Sequence, residues 1–159
     1  MITSKNTKQD NAFDLSFDRF LRAQERMYQT ALDEIKLGEK RSHWMWYIFP
    51  QHVNLGRSFN ARRYGILSLE HAQEYLEHKV LGSRLREAIS AALLHRDKSA
   101  QQLLNSDLDA LKFKSSLTLF SRASRSDADR AIFHEALEVF YEGVLCDLTL
   151  SALSSQEFS

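Results

Sequence analysis

The sequence predicts an all-α fold, a compact single domain of about eight helices with no significant sheet. One proline and five glycines among 159 residues supply few of the turn signals that a many-stranded sheet requires. Apolar residues recur at spacings of three and four in most segments, which is the period of an amphipathic helix. Polar residues that cap helix ends precede these segments, so each segment can be assigned a beginning.

The first predicted elements are a loose N-terminal segment, a long helix and a short one. Residues 1–15 are polar and are expected to be loose. Ser16 is the predicted N-cap of the long helix, and Gly38 stands where a left-handed C-cap belongs. Residues 42–49 form an apolar run that fits a short strand as well as a buried helix turn. Ser42, as a cap, favours the helix.

The rest of the chain is predicted to form shorter helices joined by polar turns. The segment 108–121, with Asp107 as its cap, is apolar on most sides, which indicates a helix at the centre of the domain. The other predicted segments, with their caps or restart points, are residues 58–64, 69–78 after Ser68, 85–95 after Gly82 and Ser83, 99–104 with Ser99 and Gln102 as a capping box, 128–142 between Asp127 and Gly143, and 147–153. The helical domain is therefore predicted over residues 16–153, followed by a short tail at 154–159.

The charges of the chain balance, with 21 Lys and Arg against 21 Asp and Glu. Generic nucleic-acid binding is therefore not expected, because no net field draws the chain to a polyanion, although a local basic patch is left open. Cys146 is the one cysteine and cannot form an internal disulfide. The beginning lacks the apolar run of a signal peptide, and no run approaches the ~20 apolar residues that cross a bilayer. These features predict a cytoplasmic protein that is not integral to a membrane.

The main candidate site is the stretch 38–51, which contains both tryptophans and the only proline. Lys40 and Arg41 stand just before a predicted helix start, where free backbone amides favour a phosphate or a carboxylate. They are the predicted charge-stabilising residues. His43 follows them and is the candidate catalytic acid or base. This stretch therefore predicts an anion site.

The aromatic side chains of the same stretch admit two interpretations. Trp44 and Trp46 could stack on a base or on another ring of a ligand. Clustered aromatic residues are more often core, in which case Ser42 is only a cap and the cations are solvated. We expect a division, with residues 46–49 packing onto the central helix and residues 40–44 carrying function.

A second candidate patch lies on the predicted central helix. Lys112, Ser115 and Ser116 share one face of an otherwise apolar helix, and Lys114 beside them is a further candidate for charge stabilisation. Buried polar groups need partners, and a ligand anion is one candidate partner. In the alternative, the serines let a neighbouring helix approach closely, their hydroxyls bond back to the preceding turn, and the lysine reaches water. Packing is the more frequent role of such residues, and both interpretations stay open.

Other motifs give no support for a metal site or for a known catalytic class. His71, Glu74 and His78 have a spacing that can bind zinc, but they belong to a charged outer face and lack a fourth ligand. Cys146 has no adjacent His or second Cys to activate it. The sequence contains no Gly-rich phosphate loop, dinucleotide fingerprint or Gly-x-Ser-x-Gly elbow. No metal is predicted, and cofactors stay unknown.

Motifs spread over nearly the whole chain match one known family. The most specific is Lys40-Arg-Ser-His-Trp-Met-Trp46. The others include Phe20-Leu-Arg-Ala-Gln24, Ser68-Leu-Glu70, Val80-Leu-Gly82, Lys112 with Ser115-Ser116, and Thr118-Leu-Phe120. On these residues the chain resembles the bacterial domain-of-unknown-function family 1810. The resemblance implies a compact, mostly helical domain with no established activity, cofactor, partner or catalytic residue.

The sequence thus predicts a pocket that joins the 40–46 segment to the 112–116 face and holds a small anionic, nucleotide-like ligand. Whether a reaction takes place is left open, as are the substrate and the oligomeric state. The alternative hypothesis is a protein-interaction or dimerisation module without catalysis. In that hypothesis the rings of the Trp-rich segment build a groove or a dimer face, and they are Trp44, Trp46, Tyr47 and Phe49. A third hypothesis is that the segment is merely the folding core.

Overall fold

The computed structural model describes residues 16–157, without the side chain of Glu157. Residues 1–15, predicted to be loose, and residues 158–159 lie outside the described residues. Within the described range the chain forms nine α-helices and no strand, and one isolated parallel bridge joins His52 to Ile66. The prediction of an all-α domain without significant sheet is confirmed. Among the described helices, none is both long and apolar enough to cross a bilayer.

Four long helices, α1, α5, α7 and α8, supply the frame of the domain, and shorter helices connect them. The bounds are α1 Asp18–Leu37, α2 Met45–Ile48, α3 Phe59–Arg63, α4 Leu69–Glu77, α5 Lys79–Leu93, α6 Ala100–Leu104, α7 Asp107–Ala123, α8 Asp127–Tyr141 and α9 Asp147–Glu157. A 3-10 turn at Val53–Leu55 separates α2 from α3.

Helix α7 is the centre of the domain, as its apolar pattern predicts. It contacts α2, α4, α6, α8 and α9. Phe113 and Phe120 are fully buried along it. Leu108 and Leu111 are the exception, because they are 61% and 62% exposed beside an open hollow that residues 55–58 also line. The first turns of α7 therefore lie at the surface, where their polar side chains can border a cleft.

The boundary between α4 and α5 lies at His78, so the predicted restart at Gly82 and Ser83 is wrong. The Nδ1 atom of His78 accepts hydrogen bonds from the backbone amides of Val80 and Leu81, both at 3.2 Å. These bonds satisfy two of the free amides at the start of α5. Histidine is not among the preferred capping residues, which is why the sequence pattern missed this cap.

Gly82 lies inside α5 because the last turn of α4 leaves no room for a side chain. A Cβ atom there would lie 2.1 Å from the carbonyl oxygen of Leu76, a backbone atom that cannot move alone. We expect Gly82→Ala to lower the free energy of unfolding by about 1–3 kcal/mol, even though alanine favours helices. Urea denaturation checks this, with Ser83→Ala, exposed in the same turn, as the control. Equal stability of the two variants would contradict the close contact.

Several predicted helix ends are displaced along the chain. The caps of α7 and α8 are Ser106 and Ser126, not the aspartates that follow them. Each serine hydroxyl accepts from the backbone amide three residues later, at 3.0 and 3.1 Å, and the aspartates stand in the first turn, where a negative charge favours the helix. The left-handed residue that ends α8 is Glu142, one before Gly143. Helix α9 continues to Glu157, past its predicted end.

Candidate functional site

Glu34 on α1 holds the following loop in place. Its Oε1 atom accepts hydrogen bonds from the backbone amides of Arg41 and Ser42 at 2.8 and 2.9 Å, and from Trp44 Nε1 at 2.9 Å. Its Oε2 atom accepts one from the Ser42 hydroxyl at 2.6 Å. Burial raises the pKa of this carboxyl, but the hydrogen bonds outweigh burial and lower its pKa to about 2. Glu34 is therefore ionised at neutral pH and organises the loop around its charge.

The chain's own carboxylate thus occupies the position where an external anion was predicted. The amides of Arg41 and Ser42, which were expected to be free, donate to Glu34. Helix α2 begins only at Met45, is four residues long and has no side-chain cap. The prediction that Ser42 caps this helix is wrong, because its hydroxyl donates to Glu34 instead. An external ligand at this site therefore has to bind through side chains.

Lys40 and Lys112 share one carboxylate, that of Asp109 in the first turn of α7. The Nζ atom of Lys40 lies 3.0 Å from Asp109 Oδ2, and that of Lys112 lies 3.8 Å from Oδ1. Each ammonium also lies over an indole ring, Lys40 at 5.1 Å from the centre of Trp44 and Lys112 at 5.0 Å from that of Trp46. Lys40 is buried, so its charge is neutralised inside the protein. Lys112 is the more accessible of the two.

These side chains surround a cleft of about 340 Å³, which we call the Lys40 cleft. It brings together six of the residues predicted from sequence, namely Lys40, Arg41, His43, Trp44, Trp46 and Lys112. Its polar lining is completed by Asn105, Ser106 and Asp109. Among the described lining residues, three cations therefore meet one carboxylate, so positive charge is in excess on the lining itself.

Arg41 and His43 are exposed in the lining of the Lys40 cleft, as is Asn105. The Arg41 guanidinium lies 3.3 Å from Glu39, but both side chains are more than half exposed, so the pair contributes little. The His43 ring makes no hydrogen bond to any residue that the structure describes. A catalytic base is usually oriented by a second group, and the carboxylate in the lining, Asp109, is committed to two lysines. This geometry suits anion binding better than proton transfer.

The two tryptophans divide between core and cleft in the opposite way to the expected division. Trp44 is fully buried, because its indole N–H donates to Glu34 and its ring packs 6.1 Å from that of Phe49, measured between centres. Trp46 is only partly buried and lines the cleft. Tyr47 and Phe49 are buried as well. Of the four rings considered for a groove or a dimer face, Trp46 is thus the one with appreciable exposed surface.

Lys114, Ser115 and Ser116 lie outside the Lys40 cleft. The Lys114 ammonium lies 6.0 Å from the ring centre of Tyr141 on α8. Ser115 donates a hydrogen bond at 3.0 Å to the carbonyl four residues earlier, and Ser116 is fully buried. This arrangement matches the packing interpretation of the two serines. Lys112 belongs to the same predicted patch and does line the Lys40 cleft. It precedes Ser115 by nearly one turn and so lies nearer the beginning of α7.

Sequence patterns missed Glu34 and Asp109. Glu34 resembles an ordinary charged position, but it lies three residues after Ala31, on the buried side of α1. Asp109 lies three residues before Lys112, a spacing at which helical side chains meet. These two spacings were the available signals, since neither carboxylate belongs to a recognisable motif.

The histidines that share a zinc-like spacing have roles inside the fold. The Nδ1 atom of His71 accepts from the backbone amide of Leu67 at 3.1 Å, and its ring stacks on Phe17 with 5.0 Å between centres. His78 caps α5. In the part of the chain that the structure describes, no three metal-binding side chains come together. The sequence spacing is thus explained by turn and cap formation.

Known proteins show the same fold. The crystal structure of the conserved hypothetical protein Rv1873 from Mycobacterium tuberculosis matches with a TM-score of 0.82 and 42% sequence identity, over 89% of this chain and 97% of that chain. A comparison with curated proteins gives no match. The family described as "Protein of unknown function (DUF1810)" matches residues 13–153. The chain is therefore a member of the DUF1810 family, as its motifs indicated.

Proposed function

We propose that this protein binds a small anionic ligand, such as a nucleoside phosphate or a sugar phosphate, in the Lys40 cleft. The observation that carries the proposal is the convergence of Arg41, Lys112 and the Trp46 ring on one cleft, in which Asp109 is the one carboxylate among the described lining residues. The volume of about 340 Å³ lies near the lower end of the ~300–1,000 Å³ that is usual for small-molecule sites. The expected ligand is therefore compact.

The three cations of the Lys40 cleft have different tasks in this proposal. Lys40 is already neutralised by Asp109 and lies over Trp44, so it shapes the cleft. Lys112 is 3.8 Å from the same carboxylate, a looser pairing, and its long side chain can turn toward an incoming phosphate. Arg41 is held only by an exposed pair, so its planar guanidinium can bind the same phosphate through two N–H groups.

Trp46 and His43 supply the remaining contacts of the proposed ligand. The Trp46 ring is partly buried, with the Lys112 ammonium 5.0 Å from its centre, and a base or sugar of the ligand would stack on its open side. His43, exposed at the cleft, would donate a hydrogen bond to the bound phosphate. If a reaction follows binding, His43 is the residue that would transfer the proton.

Thermal shift and titration calorimetry with nucleoside phosphates, ADP-ribose and sugar phosphates test this proposal. We expect at least one compound to bind, and Arg41→Gln and Lys112→Gln each to weaken its binding about 10- to 100-fold, the effect of losing a charge-assisted hydrogen bond. Arg96→Gln is the matched control, because Arg96 pairs with Glu135 outside the lining of the cleft. It should leave the affinity unchanged.

Two results would count against the Lys40 cleft as the binding site. One is a ligand whose affinity is the same in Arg41→Gln, Lys112→Gln and the unmodified chain. The other is a panel in which no compound raises the melting temperature at about 1 mM, a concentration that reveals even weak binding. His43→Gln then separates the roles of the histidine, since lost turnover with retained affinity identifies an acid or base, and lost affinity identifies a binding residue.

A further inference from the structure

The balanced net charge hides a segregated basic segment. Residues 40–69 contain five lysines and arginines and no aspartate or glutamate. The first two of these cations belong to the Lys40 cleft. The other three, Arg57, Arg62 and Arg63, lie around a second and larger cleft. The expectation against generic nucleic-acid binding rests on total charge, whereas recognition depends on the local distribution of charge.

This second cleft, which we call the arginine cleft, has a volume of about 760 Å³. It lies where the first turn of α1, the 3-10 turn and α3 meet. Polar and aromatic side chains dominate its border, and they are Arg19, Asn54, Arg57, Phe59, Arg62 and Arg63. Four guanidinium groups and one phenyl ring thus surround the same space, and no carboxylate of the described residues lines it.

The charges of Arg57, Arg62 and Arg63 are not neutralised within the described part of the chain. All three residues are exposed, and none of them forms an ion pair there. Arg63 donates to a neutral group, the Tyr64 hydroxyl, at 3.4 Å. Arg19 has a structural task, because its guanidinium donates to the carbonyl of Arg63 at 2.6 Å and ties α3 to α1. The cleft is therefore a fixed concave surface with three cations directed to solvent.

Phe59 adds an aromatic surface to these charges. It is 77% exposed at the first position of α3, where the Ser58 hydroxyl caps the helix by accepting from the Ala61 amide at 3.1 Å. The ring therefore stands on an ordered backbone with its face uncovered. Cations beside an uncovered aromatic ring are typical of surfaces that bind single-stranded nucleic acid, because phosphates pair with the cations and bases stack on the ring.

A neighbouring hollow of about 320 Å³ shares the lining residue Arg57 with the arginine cleft and Lys112 with the Lys40 cleft. Arg57 lines both spaces, and the exposed side chains of Leu108, Leu111 and Leu148 border the hollow. Apolar side chains beside a cation can receive a second base of the same strand. A mononucleotide would cover only part of this joined surface, whereas a strand of several nucleotides would follow it.

We propose that the arginine cleft binds single-stranded nucleic acid. Phosphates of the strand pair with Arg57, Arg62 and Arg63, and one base stacks on Phe59. A duplex fits this surface less well, because its bases are stacked on one another and offer no free face to the exposed Phe59 ring. The arginine cleft itself shares no lining residue with the Lys40 cleft, and this proposal does not depend on the function proposed there.

Fluorescence anisotropy with the full chain tests the proposal, using labelled oligo(U) and oligo(dT) of about 12 nucleotides. At about 50 mM salt, Arg57→Gln/Arg62→Gln should weaken binding about tenfold or more. The same variant should reduce the slope of log K against log salt by about 1.4, which is about 0.7 for each lost phosphate contact. Phe59→Ala should weaken binding about 5- to 100-fold, and Phe59→Trp should retain it.

Arg96→Gln/Arg125→Gln is the matched control for the charge change. It removes two exposed arginines that pair with Glu135 and Glu77 outside the arginine cleft. The net charge of the protein therefore falls by the same amount as in Arg57→Gln/Arg62→Gln. This control should leave the affinity within about twofold, because only non-specific attraction is lost. Melting followed by circular dichroism verifies that each variant is folded, as expected for exposed side chains.

Three results would overturn the proposal. The first is no binding of either oligonucleotide up to about 100 μM at low salt. The second is an equal loss of affinity in the control variant, which would assign the binding to net charge alone. The third is competition by free UMP at the same phosphate concentration as the oligonucleotide, which would identify a small phosphate site instead.

Discussion

Glu34→Gln should lower the free energy of unfolding by about 3 kcal/mol at neutral pH. The buried carboxylate accepts four hydrogen bonds from the loop at residues 41–44, and its pKa falls from 4.5 to about 2 in the folded chain. Each pKa unit corresponds to about 1.4 kcal/mol, which gives the expected loss. The glutamine amide also directs a donor toward groups that are themselves donors. Chemical denaturation followed by circular dichroism measures the change.

The stability that Glu34 supplies has a defined pH dependence. Its folded pKa lies below the unfolded value, so the contribution is fully present above pH 4.5 and is lost as the pH falls toward about 2. The difference between the unmodified chain and Glu34→Gln should shrink over that window. Asp33→Asn, at the exposed neighbouring position, is the control and should change stability by less than about 0.5 kcal/mol. A difference that stays constant down to about pH 2 would contradict these hydrogen bonds.

Asp109→Ala should cost about 3–5 kcal/mol, because it leaves Lys40 buried without its counter-charge. The Lys40 Nζ atom lies 3.0 Å from the carboxylate, and the lysine side chain is 7% exposed. The backbone amide of Lys40 also donates to the carbonyl of Leu103 at 2.9 Å, so the lysine cannot reach water without moving the loop. Equilibrium denaturation in urea measures the loss of stability.

A double variant separates the ion pair from general damage to the fold. Lys40→Met/Asp109→Leu removes both charges and keeps apolar volume, so it should recover most of the stability that Asp109→Ala loses. Asp107→Ala, an exposed carboxylate in the same turn, is the control and should cost less than about 1 kcal/mol. If the double variant loses as much stability as the two single substitutions added together, Lys40 and Asp109 do not stabilise each other.

Several features that depend on neighbouring residues were predictable, although the caps at His78, Ser106 and Ser126 were missed. Gly38 ends α1 in the left-handed conformation, with φ at 82°, as its position after the apolar stripe predicts. Ser99 and Gln102 form the predicted capping box of α6. The Ser68 cap is also where the pattern indicates, and the short helix predicted over residues 58–64 begins after Ser58, which caps it. In each case the hydrogen bonds join residues within a few positions, so the local sequence contains both partners.

The candidate site was predictable only in part, because its residue types were visible and their partners were not. The cations and indoles of the 40–46 segment indicated an anion site, and six predicted residues line one cleft. The hydrogen bonds from the Arg41 and Ser42 amides to Glu34 could not be predicted, since Glu34 belongs to the preceding helix. The same carboxylate binds the Trp44 indole in the core, whereas Trp46 is partly exposed, so the expected division is reversed for the two tryptophans, while Tyr47 and Phe49 are buried as expected.

By itself the sequence determined the all-α class, the order of the helices and the concentration of cations and indoles in one stretch, because periodicity, caps and composition are local properties. Tertiary structure alone decided which cations of the chain stay available to a ligand. Lys40 meets Asp109 from a distant helix, whereas Arg57 and Arg62 meet no carboxylate in the described part of the chain. Pairing between residues so far apart depends on how the helices pack, and no local pattern contains that information.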